Sequence, residues 1–460
     1  MIASCGTTNE SIDIASNSTE EAQSTIDLST EVEDSSLTSS GEESYRRDIK
    51  TVDAIVRKEQ RASYQFFYDN ISTKESGYGL IADRCNIVKG EKSNHNSIAS
   101  TGYGLALYPV GVEYGWLDVE EGYTRTLRTL QTLDNIERIH GFYYHFLDDD
   151  GKRMNKDVEV SVIDTAILIC GALIAGKYFG DQCESLANKI YEEIEWNWYY
   201  NENNQKYYMG YMPEKGFSGS WTGYAEQLMM YVLGAASPKY SVPKAAYNVM
   251  KASAVKSQAT DYYDKFYMTY TGSLFVYQFS HAFIDFNRQD EAGVNWFNNS
   301  VEASKAAVRY ADTMSTKYKT LSLNSWGLTA SDGPNGYTGG YGSRPCSGGN
   351  TCDGTVAPCA AIGSIVFTPE DSIRAMNHFM SINGLWSKYG FIDAYNLGEV
   401  DGYDDPSINI QGNGWFDTDV IGIDKGISAL MIENYISGMI WNISNEISYF
   451  KDGLKALGFN

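Results

Sequence analysis

Six stretches of this chain are apolar almost all round, and each is followed by a more polar stretch that can form a helix. The apolar stretches are SIASTGYGLALYPVGV, VEVSVIDTAILICGALIAG, WTGYAEQLMMYVLG, GSLFVYQFSHAFIDF, GTVAPCAAIGSIVF and DKGISALMIENYISGMIW; the polar ones cover 119–134, 181–200, 243–253, 290–317, 369–383 and 446–457. A helix without a polar face must be buried on all sides, whereas an amphipathic helix can cover it. The alternation predicts an all-α fold, an (α/α)6 barrel of six inner and six outer helices, with a further helix at 46–69 packed outside.

Other architectures fit this pattern poorly. No alternating strand pattern recurs between the apolar stretches, and their spacing is too long and irregular for a solenoid of short repeats. The connections that precede the inner helices are rich in Gly and aromatic residues. Parallel inner helices would gather these connections at one end of the barrel, where we expect the functional site.

The first 45 residues differ from the rest of the chain. They contain ten Asp or Glu, seventeen Ser or Thr and no Lys or Arg, which predicts a disordered linker before a catalytic domain at 46–460. At the start of this segment, IASC, ending at Cys5, is typical of the end of a bacterial lipoprotein signal. We therefore expect the chain to begin inside its own signal peptide. The mature protein would be exported, with a lipid on Cys5 as its one membrane contact, at the cell surface or in the periplasm.

Composition narrows the choice of partner. The net charge of −23 argues against nucleic acid, while 35 Tyr and nine Trp supply rings that suit stacking on sugars. Cys346 and Cys352 are close enough in sequence to form a disulfide, although spacing alone does not decide it. The chain has no CxxC or HExxH pattern, so we expect no zinc site. We also expect a monomer without a cofactor.

Glu226 is the one charged residue in an apolar stretch, and it is the first candidate for chemistry. We predict that it lies in the first turn of its helix, where Trp221 and Tyr224 raise its pKa and make it a general acid. Cleavage of a glycosidic bond needs a second carboxylate as base or nucleophile. The candidates are Asp148, Asp417, Asp419 and Asp424. Predicted sugar contacts are Arg84, Tyr103, Trp221, His281, Trp326, Asp332, Trp415 and Asp419.

Eight motifs, in order over nearly all of 60–445, give a more specific indication. They are GYGLIADR, STGYGLALYPVGVEYGWL, GFYYHFLD, SWTGYAEQLMMYVLG, SLFVYQFSHAFIDF, SWGLTASDGPNGY, DGTVAPCAAIGSIVFTPEDS and GIDKGISALMIENYISGMIW. Together they resemble the bacterial glucoamylase-like proteins that include the β-1,2-glucanases of glycoside hydrolase family 144. The resemblance implies hydrolysis of β-1,2-glucan with inversion, either by internal cutting or by release of sophorose.

The resemblance also suggests roles for individual acids. The family's acidic positions correspond to Asp148, Glu226 and Asp424, with Glu226 as general acid. Asp424 is the first choice for the base, and Asp148 and Asp419 are alternatives. Where the family motif has Gln after GID, this chain has Lys425, whose ammonium would lower the pKa of a neighbouring carboxylate.

Three other functions are compatible with parts of the pattern. Barrels of this kind also form polysaccharide lyases, but those need basic residues that the connections lack. A non-catalytic glycan-binding surface lipoprotein would use the same rings without chemistry. A hydrolase of another linkage, such as a β-1,4- or α-glucan, is the third possibility.

Overall fold

The structure, a computed structural model, describes residues 47, 49–403, 410 and 412–460. These belong to a compact unit that runs from Tyr45 to Asn460. The predicted linker at 1–45 and the predicted lipidation site at Cys5 lie outside the described residues.

Helices make up most of the regular structure of the described residues. They are α1 Ala54–Asp69, α2 Ile98–Glu113, α3 Val119–Asn135, α4 Val162–Phe179, α5 Asp181–Glu192, α6 Leu228–Ala236, α7 Ala245–Ser253, α8 Phe279–Phe283, α9 Trp296–Met314, α10 Pro358–Ile362, α11 Pro369–Met380, α12 Gly422–Ile436, α13 Met439–Glu446 and α14 Ser448–Leu457. Four short 3-10 helices lie at Ile49–Thr51, Glu75–Gly77, Trp196–Tyr199 and Leu274–Tyr277. The predominance of helix confirms the all-α expectation.

The predicted alternation of buried and half-buried helices is present. Almost every residue of α2, α4, α6, α8, α10 and α12 is buried, and these helices come from the six apolar stretches. Between them lie α3, α5, α7, α9 and α11, each buried along one face only, and α13 and α14 follow the last. The predicted boundaries are wrong for α8 and α10, which are each only five residues long.

The buried helices contact one another in chain order. Helix α2 packs on α4, α4 on α6, α10 on α12, and α12 on α2. Hydrogen bonds connect the remaining neighbours: Ser280 Oγ of α8 accepts from Met229 N–H of α6 (3.1 Å), and Gln278 Nε2, just before α8, donates to Ala360 O of α10 (2.7 Å). The last buried helix therefore returns to the first.

Glycines set the closest of these contacts. A Cβ on Gly171 of α4 would lie 1.8 Å from the carbonyl oxygen of Gly102 of α2, and a Cβ on Gly102 would lie 2.6 Å from Ile167 O. No side chain fits at either distance. The backbones of α2 and α4 therefore touch directly.

The connections contain short antiparallel strands. Sequence periodicity did not predict these strands because each has only two or three residues. They are β1 Ile81–Ala82, β2 Arg84–Asn86, β3 Glu91–Lys92, β4 Asn96–Ser97, β5 Phe146–Leu147, β6 Val160–Ser161, β7 Tyr200–Asn201, β8 Lys206–Tyr207, β9 Gly210–Met212, β10 Gly216–Ser218, β11 Val255–Lys256, β12 Tyr267–Met268, β13 Trp386–Ser387, β14 Gly390–Phe391, β15 Tyr395–Asn396, β16 Trp415–Phe416 and β17 Asp419–Ile421. The three-stranded sheets have the orders β1-β4-β5, β10-β9-β6 and β17-β2-β3. In the last of these, Ile421 pairs with Arg84 and Asp419 with Asn86.

The first long helix, α1, is fastened to α12 by a buried ion pair. Lys425 Nζ donates to Glu59 Oε1 (2.8 Å), and both side chains are almost fully buried. Glu59 also accepts from Ser63 Oγ (2.9 Å) and from the backbone N–H of Phe391 (3.1 Å). Lys425 thus has its partner, Glu59, on another helix.

Two further features bear on the expectations from sequence. Cys346 and Cys352 are both free thiols, so the disulfide considered above is not formed. Among the described residues, α4 is long and apolar enough to cross a membrane by length and composition alone. Most of it is buried inside the protein, which is typical of a core helix.

Candidate active site

Carboxylates from three buried segments meet around Tyr103 of α2. Asp164 lies in the first turn of α4 and Asp424 in the first turn of α12, where the helix dipole favours a negative charge. Glu226 lies in the turn just before α6. The Tyr103 hydroxyl is buried and feels the charges of all three acids, which raise its pKa further after burial. The three carboxylates therefore share one end of the buried helices.

Glu226 is not in the first turn of its helix, as predicted, but two residues before it, because α6 begins at Leu228. Its backbone is held by Ser280, whose Oγ donates to Glu226 O (2.6 Å). The side chain is partly exposed. Burial raises the pKa of Glu226 to about 8, opposed by a backbone N–H and assisted by the charge of Asp164. Glu226 therefore holds its proton at neutral pH.

Asp424 faces a second buried acid that the sequence analysis missed. Its Oδ1 accepts a hydrogen bond from Cys359 Sγ (3.3 Å), and the neighbouring carboxyl group of Asp393 acts on its pKa. Burial raises the pKa of Asp424, and the neighbouring Lys425 lowers it by less than burial raises it. Lys425 thus acts in the predicted direction without deciding the outcome.

Arg84 holds three carboxylates beside this pair. Its Nη1 lies 2.6 Å from Asp332 Oδ2 and 3.3 Å from Asp419 Oδ2, and its Nε lies 3.1 Å from Asp83 Oδ2. Burial acts to raise the pKa of Asp83, but His95 and Arg84 outweigh it and lower the pKa. Burial likewise opposes the charge on Arg84, and the surrounding aspartates raise its pKa overall. Arg84 is the cation that allows these acids to lie together.

Arg84 is surrounded by Asp83, Asp332, Asp393, Asp417 and Asp419, and Asp424 lies beside Asp393. Burial, Asp332 and Asp419 raise the pKa of Asp417 to about 7. Oxygens of Asp332, Asp393 and Asp417 lie within 4.8 Å of one another. Such spacing also occurs in cation sites, but here Arg84 supplies the positive charge, and we assign no metal ligands.

A histidine connects Asp164 with a further acid. His145 Nδ1 lies 3.0 Å from Glu159 Oε1, and its Nε2 lies 3.6 Å from Asp164 Oδ1. The imidazole stacks on Phe146, with ring centroids 3.9 Å apart, and His95 contacts Phe146 edge-on. Burial acts to lower the pKa of His145, but Asp164 and Glu159 outweigh it and raise the pKa to about 9. His145 is an imidazolium at neutral pH.

This charge predicts a pH dependence of stability. Because the pKa of His145 is raised from 6.5 to about 9 on folding, its stabilising contribution is complete below pH 6.5 and is lost as pH rises through 9. The Tm of the wild type should exceed that of His145→Gln most below pH 6.5, and the difference should vanish above pH 9. Thermal melts across this range measure it.

The matched control is His140→Gln, since His140 is an exposed histidine paired with Glu195 (2.7 Å). The Tm of His140→Gln should decrease between pH 6.5 and 9 by as much as the Tm of the wild type does. A His145→Gln protein that keeps that loss would contradict the assignment.

Asp148 does not belong to this group of acids. Its Oδ1 accepts the backbone N–H groups of Asp150 and Lys152, both at 2.9 Å, and so fixes a turn. Its charge acts on Lys74, which is exposed and pairs with Asp150. The structure therefore places Asp148 in a turn, and the acid that acts on Glu226 is Asp164.

Two predicted sugar contacts lie in the core instead. Trp326 is fully buried, with its Nε1 donating to Asp371 O (3.4 Å). His281 is buried with its Nε2 3.2 Å from Ser300 Oγ, and burial lowers its pKa to about 3. Burial keeps both side chains from contacting a bound sugar directly.

The other predicted contacts lie nearer the acids or are more accessible. Trp221 is buried in the segment before Glu226, and Trp415 of β16 is partly exposed. Tyr337, which the sequence did not single out, is 52% exposed, and burial together with the charges of Asp424 and Asp393 raises the pKa of its hydroxyl. It lies in the SDGPNGYTGG loop, whose glycines and tyrosine were noted without a role.

Fold and site together define an all-α protein with a carboxyl-lined site at one end of its buried helices. Residues 218–448 match the family described as "Putative glucoamylase". The chain belongs to this family, which confirms the resemblance to bacterial glucoamylase-like proteins.

Solved structures agree with this assignment. A protein of the same description from Bacteroides caccae is 27% identical, with a TM-score of 0.77, over 88% of this chain and 99% of its own. The endo-β-1,2-glucanase from Chitinophaga pinensis, solved with sophorotriose and glucose, is 26% identical with the same TM-score, over 88% of this chain and 98% of its own.

A curated relative from Parabacteroides distasonis is an exo-β-1,2-glucooligosaccharide sophorohydrolase acting at the non-reducing end. It is 24% identical over 421 residues, 84% of this chain. The match spans only 55% of the relative's length.

Proposed function

We propose that this protein is a glycoside hydrolase that cleaves β-1,2-glucan, with its site at one end of an (α/α)6 barrel. The observation that carries the proposal is Glu226, a partly exposed carboxyl with a pKa of about 8, at the same helix ends as Asp424. The buried helices that contact one another from α2 round to α12 support a closed ring. The activities named for the relatives from Chitinophaga pinensis and Parabacteroides distasonis support the substrate.

The reaction needs one carboxyl group that is protonated and a second that is ionised. Glu226 gives its proton to the glycosidic oxygen as the bond from that oxygen to the anomeric carbon breaks. A water molecule attacks the same carbon from the other face, and its proton passes to Asp424, directly or through a second water. The products are two shorter glucans with inversion at the new reducing end, and both acids return to their starting states by exchange with solvent.

Several partly exposed groups around the acids are suited to hold sugars. Arg84 with Asp332 and Asp419 offers charged donors and acceptors to hydroxyl groups. The exposed face of Tyr337 and the partly exposed Trp415 offer apolar surfaces to pyranose rings. The Tyr103 side chain is fully buried next to the acids, so it supports their position and does not contact sugar.

A panel of linear glucans tests the substrate and the cutting mode together. We expect new reducing ends from β-1,2-glucan and none from β-1,4- or α-glucans. A ladder of products means internal cutting, whereas sophorose alone means cleavage from an end. An unsaturated product would indicate a lyase, and binding without any product would indicate a glycan-binding protein.

Asp424→Asn tests the base. We expect kcat on β-1,2-glucan to fall by about 10²- to 10³-fold, with oligosaccharide affinity changed little, because the amide cannot take a proton from water. Reducing-end assays and calorimetric titration measure the two quantities. Asp148→Asn is the matched control and should keep the wild-type rate; a loss there and not at Asp424 would return the base to Asp148.

The stereochemistry is tested separately. Proton NMR of the first product should show the anomer opposite to that of the substrate linkage. Retention would require a covalent intermediate on a carboxylate and would contradict water activation by Asp424.

We also propose that Cys5 carries the lipid that holds the protein at the bacterial surface or in the periplasm. The small residues before Cys5 and the acidic Ser/Thr-rich segment after it support this. Expressed in a bacterium behind a complete lipoprotein signal, the wild type should sediment with membranes, and Cys5→Ser should be released to the soluble fraction. Equal fractionation of both would contradict the anchor.

A further inference from the structure

Asp393 and Asp424 form a pair of buried carboxyl groups. Asp393 is 2% exposed and Asp424 is 5% exposed. Beside burial, Asp424 raises the pKa of Asp393 and Asp393 lowers the pKa of Asp424, so the two carboxyl groups lie within interaction distance of each other. An ionised carboxylate can only accept, so a hydrogen bond between two carboxyl groups requires a proton on one of them.

The other contacts decide which residue holds it. Asp393 Oδ2 accepts the backbone N–H of Asp332 (2.9 Å), whereas its Oδ1 receives no N–H or O–H from any residue that the structure describes. Asp424 Oδ1, by contrast, accepts from Cys359 Sγ and lies in the first turn of α12. The Asp424 carboxylate has a donor and a helix N-terminus to stabilise its charge, and Asp393 Oδ1 has neither.

The surrounding charges favour the same assignment. The titratable and charged groups around Asp393 are Asp424 of α12, Cys359 of α10, Asp332 and Tyr337 of the connection after α9, Asp417 just before β17, Asp419 of β17, and Arg84 of β2. Arg84 is already shared among three aspartates, and Lys425 is paired with Glu59. A second buried negative charge next to Asp424 would lack a cation of its own.

We propose that Asp393 is protonated at Oδ1 and donates this proton as a hydrogen bond to the carboxylate of Asp424. Asp393 is then a positioning residue: it orients Asp424 and keeps it ionised, so that Asp424 can accept a proton from water. The assignment of a base rests on the proposed function, whereas the shared proton does not.

Two substitutions separate this role from alternatives. Asparagine at position 393 can donate to Asp424 and accept from Asp332 N–H, so Asp393→Asn should keep kcat within about threefold and leave the acid limb of the pH profile in place. Asp393→Leu removes the donor, so kcat should fall at least tenfold and the acid limb should move up by roughly one to three pH units. Asp261→Asn, at an exposed aspartate, is the matched control.

Other results would overturn the proposal. If Asp393 were ionised in the wild type, Asp393→Asn would remove a neighbouring negative charge and move the acid limb to lower pH by roughly one to three units. If Asp393 only packed, Asn and Leu would lower kcat and Tm alike with no movement of the limb.

Infrared spectroscopy tests the proton without substrate. In protein labelled with carbon-13 at aspartate carboxyls, at about pH 9, Asp417 with its pKa of about 7 is ionised. A protonated aspartate band should remain in the wild type and disappear in Asp393→Asn. A wild type without this band would overturn the proposal, whereas a band in a protein inactive on β-1,2-glucan would overturn the proposed function alone.

Discussion

Replacing Glu226 with glutamine should lower kcat on β-1,2-glucan by about 10²- to 10⁴-fold, because the amide has no proton to give to the leaving oxygen. Oligosaccharide affinity should change little, since the two side chains have the same shape. The wild-type rate should fall as pH rises through about 8, where Glu226 loses its proton, and the residual rate of the variant should lack this fall. Reducing-end assays over pH measure all of this.

The matched control is Glu202→Gln, at an exposed position between β7 and β8, which should behave as the wild type. A Glu226→Gln protein with the wild-type rate would refute the general acid. A variant that loses affinity and rate together would make Glu226 a binding residue. A wild type that binds glucan without cleaving it would favour the glycan-binding alternative.

Replacing Lys425 with methionine should lower the free energy of unfolding by about 3–5 kcal/mol, the largest effect on stability that we expect. The change leaves the Glu59 carboxylate fully buried, with Ser63 Oγ and Phe391 N–H as its remaining donors. Removing one member of a buried ion pair costs more than removing both, because the other charge stays out of water. Chemical denaturation, with Tm as a second measure, tests this.

A double variant and a surface control variant test whether the loss comes from the buried charge of Glu59. The double variant Glu59→Gln with Lys425→Met removes both charges and should recover most of the loss. Lys388→Met breaks an exposed pair with Asp69 and should cost less than about 1 kcal/mol. If Lys425→Met were no worse than Lys388→Met, the pair would not be what fastens α1 to α12.

The helices were largely predictable from the sequence because burial on all sides leaves a compositional trace. The stretch around Leu105 has no polar face, and α2 begins and ends within a residue of its predicted limits. The boundaries of α8 and α10 were not predictable, because apolar residues continue past each helix into buried connections such as the one containing Ile365. The short strands pair residues distant in sequence, such as Arg84 and Ile421, and no local period records such pairing.

One sequence signal, a carboxylate within an apolar stretch, indicates more of the site residues than were predicted. A lone carboxylate in an apolar stretch led to Glu226, and the same signal applies to Asp164 in VSVIDTAIL and Asp393 in GFIDAYN. Asp424 was predicted from the need for a second carboxylate and from the resemblance to the family. Asp148, in a run of three aspartates, lacked that signal, and its turn explains the run. The pairing of His145 with Glu159 and Asp164 depends on β5, β6 and α4 meeting in space, which residue type alone does not reveal.

The direct backbone contact between Gly102 and Gly171 sets the spacing of α2 and α4. Helix α2 lies between α4 and α12, which carry Asp164 and Asp424, so its distance from α4 is part of the distance between those acids. A single methyl group at Gly171, about two turns below Asp164, would wedge α4 away from α2. The separation of the Asp164 and Asp424 carboxylates thus depends on two residues that have no side chain.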